Sequence, residues 1–388
     1  MPGGLDRAGA ELRDLVVVAA IFAVALLVSV VWLHVARPRA EPDGHQRDRF
    51  LDGLRGIAAV GVMAAHFGGN VSFALGARDI APVFHNLGAA GVQVFFALTG
   101  FLFTRKAVAA RGQLALQPFL VARLRRLVPM YSATIAFAVA LVCIVTWREP
   151  IAWGGLARQA VSLYAFGFVL DGSPQIKSVP YVDVLGAIWS LPFEWGFYLC
   201  VPVLAVLVTS RRMLAVAGAA LAVYFANAMT DGRGDVFTPF FLPGVLLGLL
   251  PPGRLAIPAR ARRWLAGAVL LLIAVAVLPG TQSFSPSRLL LMTALFTAVA
   301  LARPALLAAR PVAFLGDISY SVYLMHFPFL FAIKAMLRAF GPAEPLLQAG
   351  VFLAACGAVV AASAVTWRFI ERPFLSRRAA SAAYAPLA

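Results

Sequence analysis

The chain has 388 residues, of which 61% are hydrophobic and only 13% charged, a balance too apolar for several soluble domains and suited to repeated crossings of a bilayer. Its formal net charge of +16 comes from 33 Lys and Arg, only three of them lysine, against 17 Asp and Glu. That surplus argues against a nucleic-acid partner, because the arginines sit in short loops between apolar runs with no recognition module, which is the positive-inside pattern of membrane proteins.

A crossing needs about 20 apolar residues. Runs of that kind fall, in chain order, near residues 15–35, 54–70, 86–104, 129–147, 188–209, 213–229, 264–280, 287–302, 313–336 and 346–368, with a shorter one near 236–251. The first run is longer than a signal-peptide core, and its flanking charges place its amino end outside, so it reads as a retained helix. Residues 155–170 are ambiguous, because they contain Gly155, Arg158 and Gln159. If they do not cross, the flanks and loops at 36–55, 105–128, 210–212, 251–263, 303–310 and 368–388 share one side and hold 23 of the 33 Lys and Arg. If they do cross, that bias vanishes, so a re-entrant or interfacial element is expected near 155–170.

The predicted fold class is therefore an all-α polytopic membrane protein: a ten-helix core bundle plus one extra N-terminal transmembrane helix, with the amino terminus outside and the carboxyl terminus cytoplasmic. Residues 1–48 carry the extra helix and a basic cytoplasmic linker, 49–373 the membrane domain, and 374–388 a cytoplasmic tail. Cys143, Cys200 and Cys356 lie in apolar runs without metal-ligand spacing. They read as small hydrophobes, and no metal is expected.

The stretch RFLDGLRGIAAVGVMAAHF, residues 49–67, holds Arg55 and His66 in an otherwise apolar run. Eleven residues at 100° each make three turns plus about 20°, so the two side chains share one helix face, roughly 16 Å apart along the axis. An arginine near a helix end can snorkel, whereas a histidine at the depth of His66 must face protein or a water-filled cavity. Glu194 lies well inside a span and needs a partner there. Arg123 and Arg126, three apart at the start of a helix, present on one face, as do Tyr323 and His326. Trp189 suits either a sugar platform or the interfacial aromatic belt. Glu371, Arg372 and Pro373 are expected to end the last helix and pair locally. His34, His45 and His85 receive no role.

Six motifs in order then carry a resemblance. LDGLRGIAAVGVMAAH (Leu51 to His66), GVQVFFALTGFL (Gly91 to Leu102), RLRRLVPMY (Arg123 to Tyr131), IWSLPFEWGFYL (Ile188 to Leu199), FLGDISYSVYLMHFP (Phe314 to Pro328) and FIERPF (Phe369 to Phe374) together resemble the acyltransferase-3 family of bacterial integral-membrane O-acyltransferases. The resemblance implies transfer of an acyl group, commonly acetyl from cytoplasmic acetyl-CoA, to a hydroxyl of an envelope polysaccharide, its lipid-linked precursor or a glycosylated small molecule such as a macrolide, at the bacterial inner membrane. Under it, Arg55, Arg123 and Arg126 bind the donor phosphates, for which forked guanidinium donors and helix amino ends are suited. His66 acts as general base or as a transient acyl carrier. Glu194 orients His66 or holds a sugar hydroxyl, and Trp189, Ser190, Tyr198, Tyr323 and His326 serve the acceptor.

Arg125, between the two donor arginines, points elsewhere. Two positions depart from the family pattern: Thr99 replaces a common serine and Gln93 a frequent aspartate, which removes an ionic partner from that helix. Some relatives append an extracytoplasmic hydrolase-like domain; nothing long enough follows residue 373, so the chain is expected to act without one or with a separate partner. The competing class is a transporter or flippase, whose paired broken helices and inverted repeats the sequence does not display.

Overall fold

The computed structural model describes residues 3–36, 48–166, 168, 175–231, 235–251, 253, 257–278, 280, 282–341 and 344–375. The basic linker over 37–47, with His45, and the tail beyond 375 lie outside them. In chain order come α1 (Gly3–Ala36), α2 (Arg49–Ala74), α3 (Pro82–Ala110), α4 (Leu116–Val145) and α5 (Trp153–Tyr164). A minimal antiparallel pair follows, β1 (Gln175–Ile176) and β2 (Val179–Pro180), then α6 (Tyr181–Leu185), a 3-10 turn over Gly186–Ser190, α7 (Leu191–Leu207) and α8 (Arg211–Asp231). A second 3-10 turn (Thr238–Phe241) leads to α9 (Leu242–Leu249), α10 (Ala259–Val277), α11 (Pro286–Ala302), α12 (Arg310–Asp317), α13 (Ser319–Phe340) and α14 (Pro345–Thr366), which runs into a π turn at Trp367–Glu371.

Among the described residues seven segments are long and apolar enough to cross a membrane: Gly9–Ala36, Arg49–Ala74, Pro82–Ala110, Leu116–Val145, Tyr181–Leu207, Ser319–Phe340 and Pro345–Leu375, with shorter apolar helices at Thr238–Leu249 and Pro286–Ala302. The molecule is an all-α polytopic membrane protein. Each of the eleven apolar runs coincides with a helix, and two of them change form. The run near 188–209 begins as a 3-10 turn, and the one near 313–336 is split at Ile318 into α12 and α13. The ambiguous stretch gives α5, whose 12 residues extend only about 18 Å, short of the roughly 30 Å hydrocarbon core. Leu163 anchors it in the interior while Trp153 and Val161 stay exposed, an arrangement suited to an interfacial or re-entrant element.

The outer surface is apolar, with Val16, Leu27, Val203, Leu270 and Leu290 exposed, as a lipid-facing coat requires. Polar contacts and small residues hold the helices together, because in lipid there is no hydrophobic gain from burying one leucine against another. Helix α1 buries Val17, Ile21, Ala25 and Ser29 at four-residue steps, one ridge of the helix. Ser72 Oγ on α2 donates to Asp14 Oδ1 at 2.6 Å, and Ser29 Oγ donates to the Pro311 carbonyl at 2.8 Å. Gly56 on α2 lies against the backbone of Leu315 and Gly316 on α12, an approach that only a residue without Cβ allows.

Asp48 caps α2 by accepting from the Phe50 amide at 3.2 Å, and Arg303 Nη2 grips both Asp48 oxygens at 2.7 Å. Glu371 reaches beyond the local pairing the sequence suggested. It is buried, and Ser321 Oγ on α13 donates to its Oε1, so the end of α14 is tied to α13.

Candidate active site

A cavity of about 520 Å³ opens between α2, α3, the Gly186–Ser190 turn, residues 283–284 and α13. His66 is exposed despite its central position on α2, because its side chain opens on this space. Its ring stacks on His326, with centroids 5.2 Å apart and planes at 30°, and lies 4.6 Å from the Phe327 ring. His326 is fully buried, and its Nδ1 sits 3.2 Å from the Val322 carbonyl. A nitrogen facing a carbonyl carries the hydrogen, which leaves Nε2 as an acceptor that no described residue satisfies. Tyr323 lines the cavity and shares a 2.7 Å hydrogen bond with Ser190. Trp189 also lines it, backed by Phe237 at 5.0 Å and Phe193 at 6.1 Å.

A second cluster forms around Glu194. The Tyr198 hydroxyl donates to Glu194 Oε1 one turn along α7. The Arg123 guanidinium carbon lies 5.0 Å from the Phe103 ring centroid and 5.9 Å from that of Tyr198, within the range of cation–π attraction. Arg55 pairs with Asp52 at 3.5 Å and has Arg126, Tyr198 and Glu194 within electrostatic reach. The three arginines thus gather near the Glu194–Tyr198 pair, and none of them lines the cavity. Tyr323 stands between the two clusters, lining the cavity on one side and within electrostatic reach of Glu194 on the other.

Several side chains take settings that the sequence left open or placed elsewhere. Glu194 sits with the arginines rather than with His66, whose ring is set by His326 and Phe327. Tyr198 joins the cationic cluster instead of the acceptor group. Trp189 faces the cavity, not a lipid belt. Arg125 is exposed, apart from Arg123 and Arg126, which are half-buried. Gln93 is fully engaged in place of an ionic partner: it accepts from Arg288 Nε at 3.1 Å and donates to the Ser283 carbonyl at 2.5 Å. Arg288 is completely buried and also reaches the carbonyls of Asn86 and Ala276.

The sequence reading missed His85, Asn70 and Lys334, all of which line the cavity. The available signal was spacing. Asn70 follows His66 by four, and Lys334 follows His326 by eight through Leu330, positions that share a helix face. Among the described residues no group of three or more His, Cys, Asp or Glu could hold a metal ion.

A family model described as an acyltransferase domain matches residues 48–368. Similar curated proteins include the peptidoglycan O-acetyltransferase OatA of Listeria monocytogenes, 26% identical over 83% of this chain and 55% of that protein. The putative membrane-bound transacylase BcsY of Komagataeibacter xylinus is 27% identical over 85% and 83%, and the exopolysaccharide production protein ExoZ of Rhizobium meliloti 28% over 78% and 94%. The chain spans little more than half the length of the Listeria protein. No solved structure matches. With a family model covering the whole core from the cap of α2 to the end of α14, the chain belongs to the acyltransferase-3 family.

Proposed function

We propose that the chain transfers an acetyl group from acetyl-CoA to a hydroxyl of a carbohydrate acceptor held in the His66 cavity. The observation that carries this reading is His66 itself, an exposed imidazole in the middle of a membrane helix, opening on a space of about 520 Å³, within the size range of small-molecule sites. Family membership supports an acyltransferase, and the relatives' names, which speak of peptidoglycan O-acetylation and exopolysaccharide production, support a carbohydrate acceptor.

In the reaction His66 takes the proton of the acceptor hydroxyl while that oxygen attacks the thioester carbonyl. The C–S bond breaks as the C–O bond forms, and the thiolate leaves to be reprotonated by the imidazolium. Positioned proton transfer of this kind contributes about 10²–10⁴-fold. His326 fixes the His66 ring by stacking and offers Nε2 as an acceptor. Arg55, Arg123 and Arg126 hold the donor phosphates in the cytoplasmic half, with Glu194 and Tyr198 fixing the arginines. Trp189, Ser190 and Tyr323 border the acceptor. The amino terminus lies outside, the carboxyl terminus in the cytoplasm, and the membrane is the bacterial inner membrane.

Mass spectrometry of surface glycans from cells carrying the wild-type gene, no gene or His66→Ala tests the reading. Acetyl mass increments should appear with the wild type only. His66 borders the cavity as well as the rings of His326 and Phe327, so trimming it enlarges an existing space and the variant should still insert and fold; unchanged acetylation by it would remove His66 from the mechanism.

A further inference from the structure

The cavity around His66 is electrostatically one-sided. Among the described residues its lining includes Lys334, His66, His85 and His326 and not one Asp or Glu. A second hollow, of about 300 Å³, adjoins it through Asn70 and Lys334 and adds Arg338 and Gln348, again with no carboxylate among the described residues that line it. Lys334 follows Tyr323 by eleven residues on α13, about 16 Å along the axis, so the cationic end of this space is opposite the end that meets the arginine cluster. Lys334 is within electrostatic reach of His66. The acid that acts on Lys334 is Asp183, which is exposed on α6 and lines neither hollow.

A lysine near a helix end usually snorkels to the lipid headgroups, and Arg338 in the last turn of α13 suits the helix dipole. Anchors of that kind need no cavity. Here both cations border a continuous concave surface that also holds the proposed general base and the amides of Asn70 and Gln348. Lys334 is half-buried, so its charge is less screened than one in open solvent.

We infer that the acceptor carries an acidic group, a carboxylate or a phosphate, which Lys334 and Arg338 bind while a hydroxyl of the same molecule reaches His66. The inference rests on the acetyl-transfer reading only for calling that ligand the acceptor. It makes Lys334 a specificity residue that selects acidic over neutral glycans.

The test reads binding, not transfer. The full chain in phosphatidylcholine nanodiscs is titrated with glucuronate, glucose 1-phosphate and glucose, following tryptophan fluorescence and calorimetric heat. At least one acidic probe should bind more tightly than glucose by about tenfold or more, the worth of one charge-assisted hydrogen bond, and lose that advantage as salt is raised. Lys334→Gln should bring the acidic probe down to the level of glucose, and Lys334→Arg should restore the preference. Whichever acidic probe binds better names the group.

Equal binding of acidic and neutral probes, or a preference that survives in both Lys334→Gln and Arg338→Gln, would overturn the inference. So would loss of all anion binding on exchanging phosphatidylcholine for phosphatidylglycerol, since the cations would then serve lipid headgroups. An anion preference in a preparation that transfers no acetyl supports this inference and defeats the acetyl-transfer reading alone.

Discussion

Gly56→Ala tests whether the contact between α2 and α12 sets the position of the donor arginines. A Cβ at position 56 would stand 2.6 Å from the Gly316 amide nitrogen and 2.8 Å from the Leu315 carbonyl carbon, where ordinary contact begins near 3.4 Å. Both obstacles are backbone, so no side chain can swing aside, and α2 must part from α12 by about 0.8 Å at that level. Overpacking of this kind costs about 1–3 kcal/mol, set against a gain of up to about 1 kcal/mol from the better helix propensity of alanine. Gly196→Ala supplies the control: it sits inside α7 with nothing within 4 Å of the added carbon, so it keeps the propensity gain without the clash. The difference between the two variants in melting midpoint, measured in one detergent by tryptophan fluorescence, isolates the contact. Because Arg55 adjoins Gly56 and Asp52 lies one turn before it on α2, the same shift displaces Arg55 relative to Arg123 and Arg126 on α4, and a displacement near 1 Å can cost about 10²-fold in rate. Gly56→Ala should therefore melt lower than Gly196→Ala and transfer acetyl markedly more slowly. Coincident melting curves would show that α2 is not held by this approach, and the positional argument for Arg55 would fall with it.

Arg126→Ala should raise the acetyl-CoA concentration needed for half-maximal transfer more than it alters acceptor saturation; the opposite split in steady-state kinetics would assign the arginine to the sugar. Gln93→Leu removes the side-chain acceptor of a buried guanidinium and should destabilise the fold by about 2–3 kcal/mol, the worth of a hydrogen bond to a charge, read as a lower melting midpoint; an unchanged one would mean that the Asn86 and Ala276 carbonyls suffice for Arg288. Ser72→Ala leaves buried Asp14 without its contact to α2 and should loosen α1 by about 1–2 kcal/mol, seen as faster proteolytic release of the first helix.

What the sequence could and could not say about this site has a physical pattern. Helical periodicity is local, so it placed Arg55 and His66 on one face of α2, and Tyr323 and His326 on one face of α13, before any tertiary contact was known. Periodicity cannot say which face meets which. The stacking of His66 on His326 comes from α2 and α13 packing together, and it turns two separately plausible histidines into one site. The same stripe on α13, continued from His326 through Leu330 to Lys334, was there to be followed, but an isolated lysine near a helix end has a sufficient explanation in snorkelling.

For Glu194 the sequence left two settings open, beside His66 or beside a sugar hydroxyl, and helical phase alone does not name a partner. Glu194 is five residues beyond Trp189, about 140° round an α-helix, so the two side chains leave the chain on well-separated faces. That phase leaves Trp189 on the cavity wall and sets Glu194 against Tyr198, within electrostatic reach of Arg55. A carboxylate there neutralises part of the mutual repulsion of Arg55, Arg123 and Arg126. A bound polyphosphate would do the same more fully, so Glu194, with Asp52 beside Arg55, both holds the cations in place and sets how strongly they attract a donor.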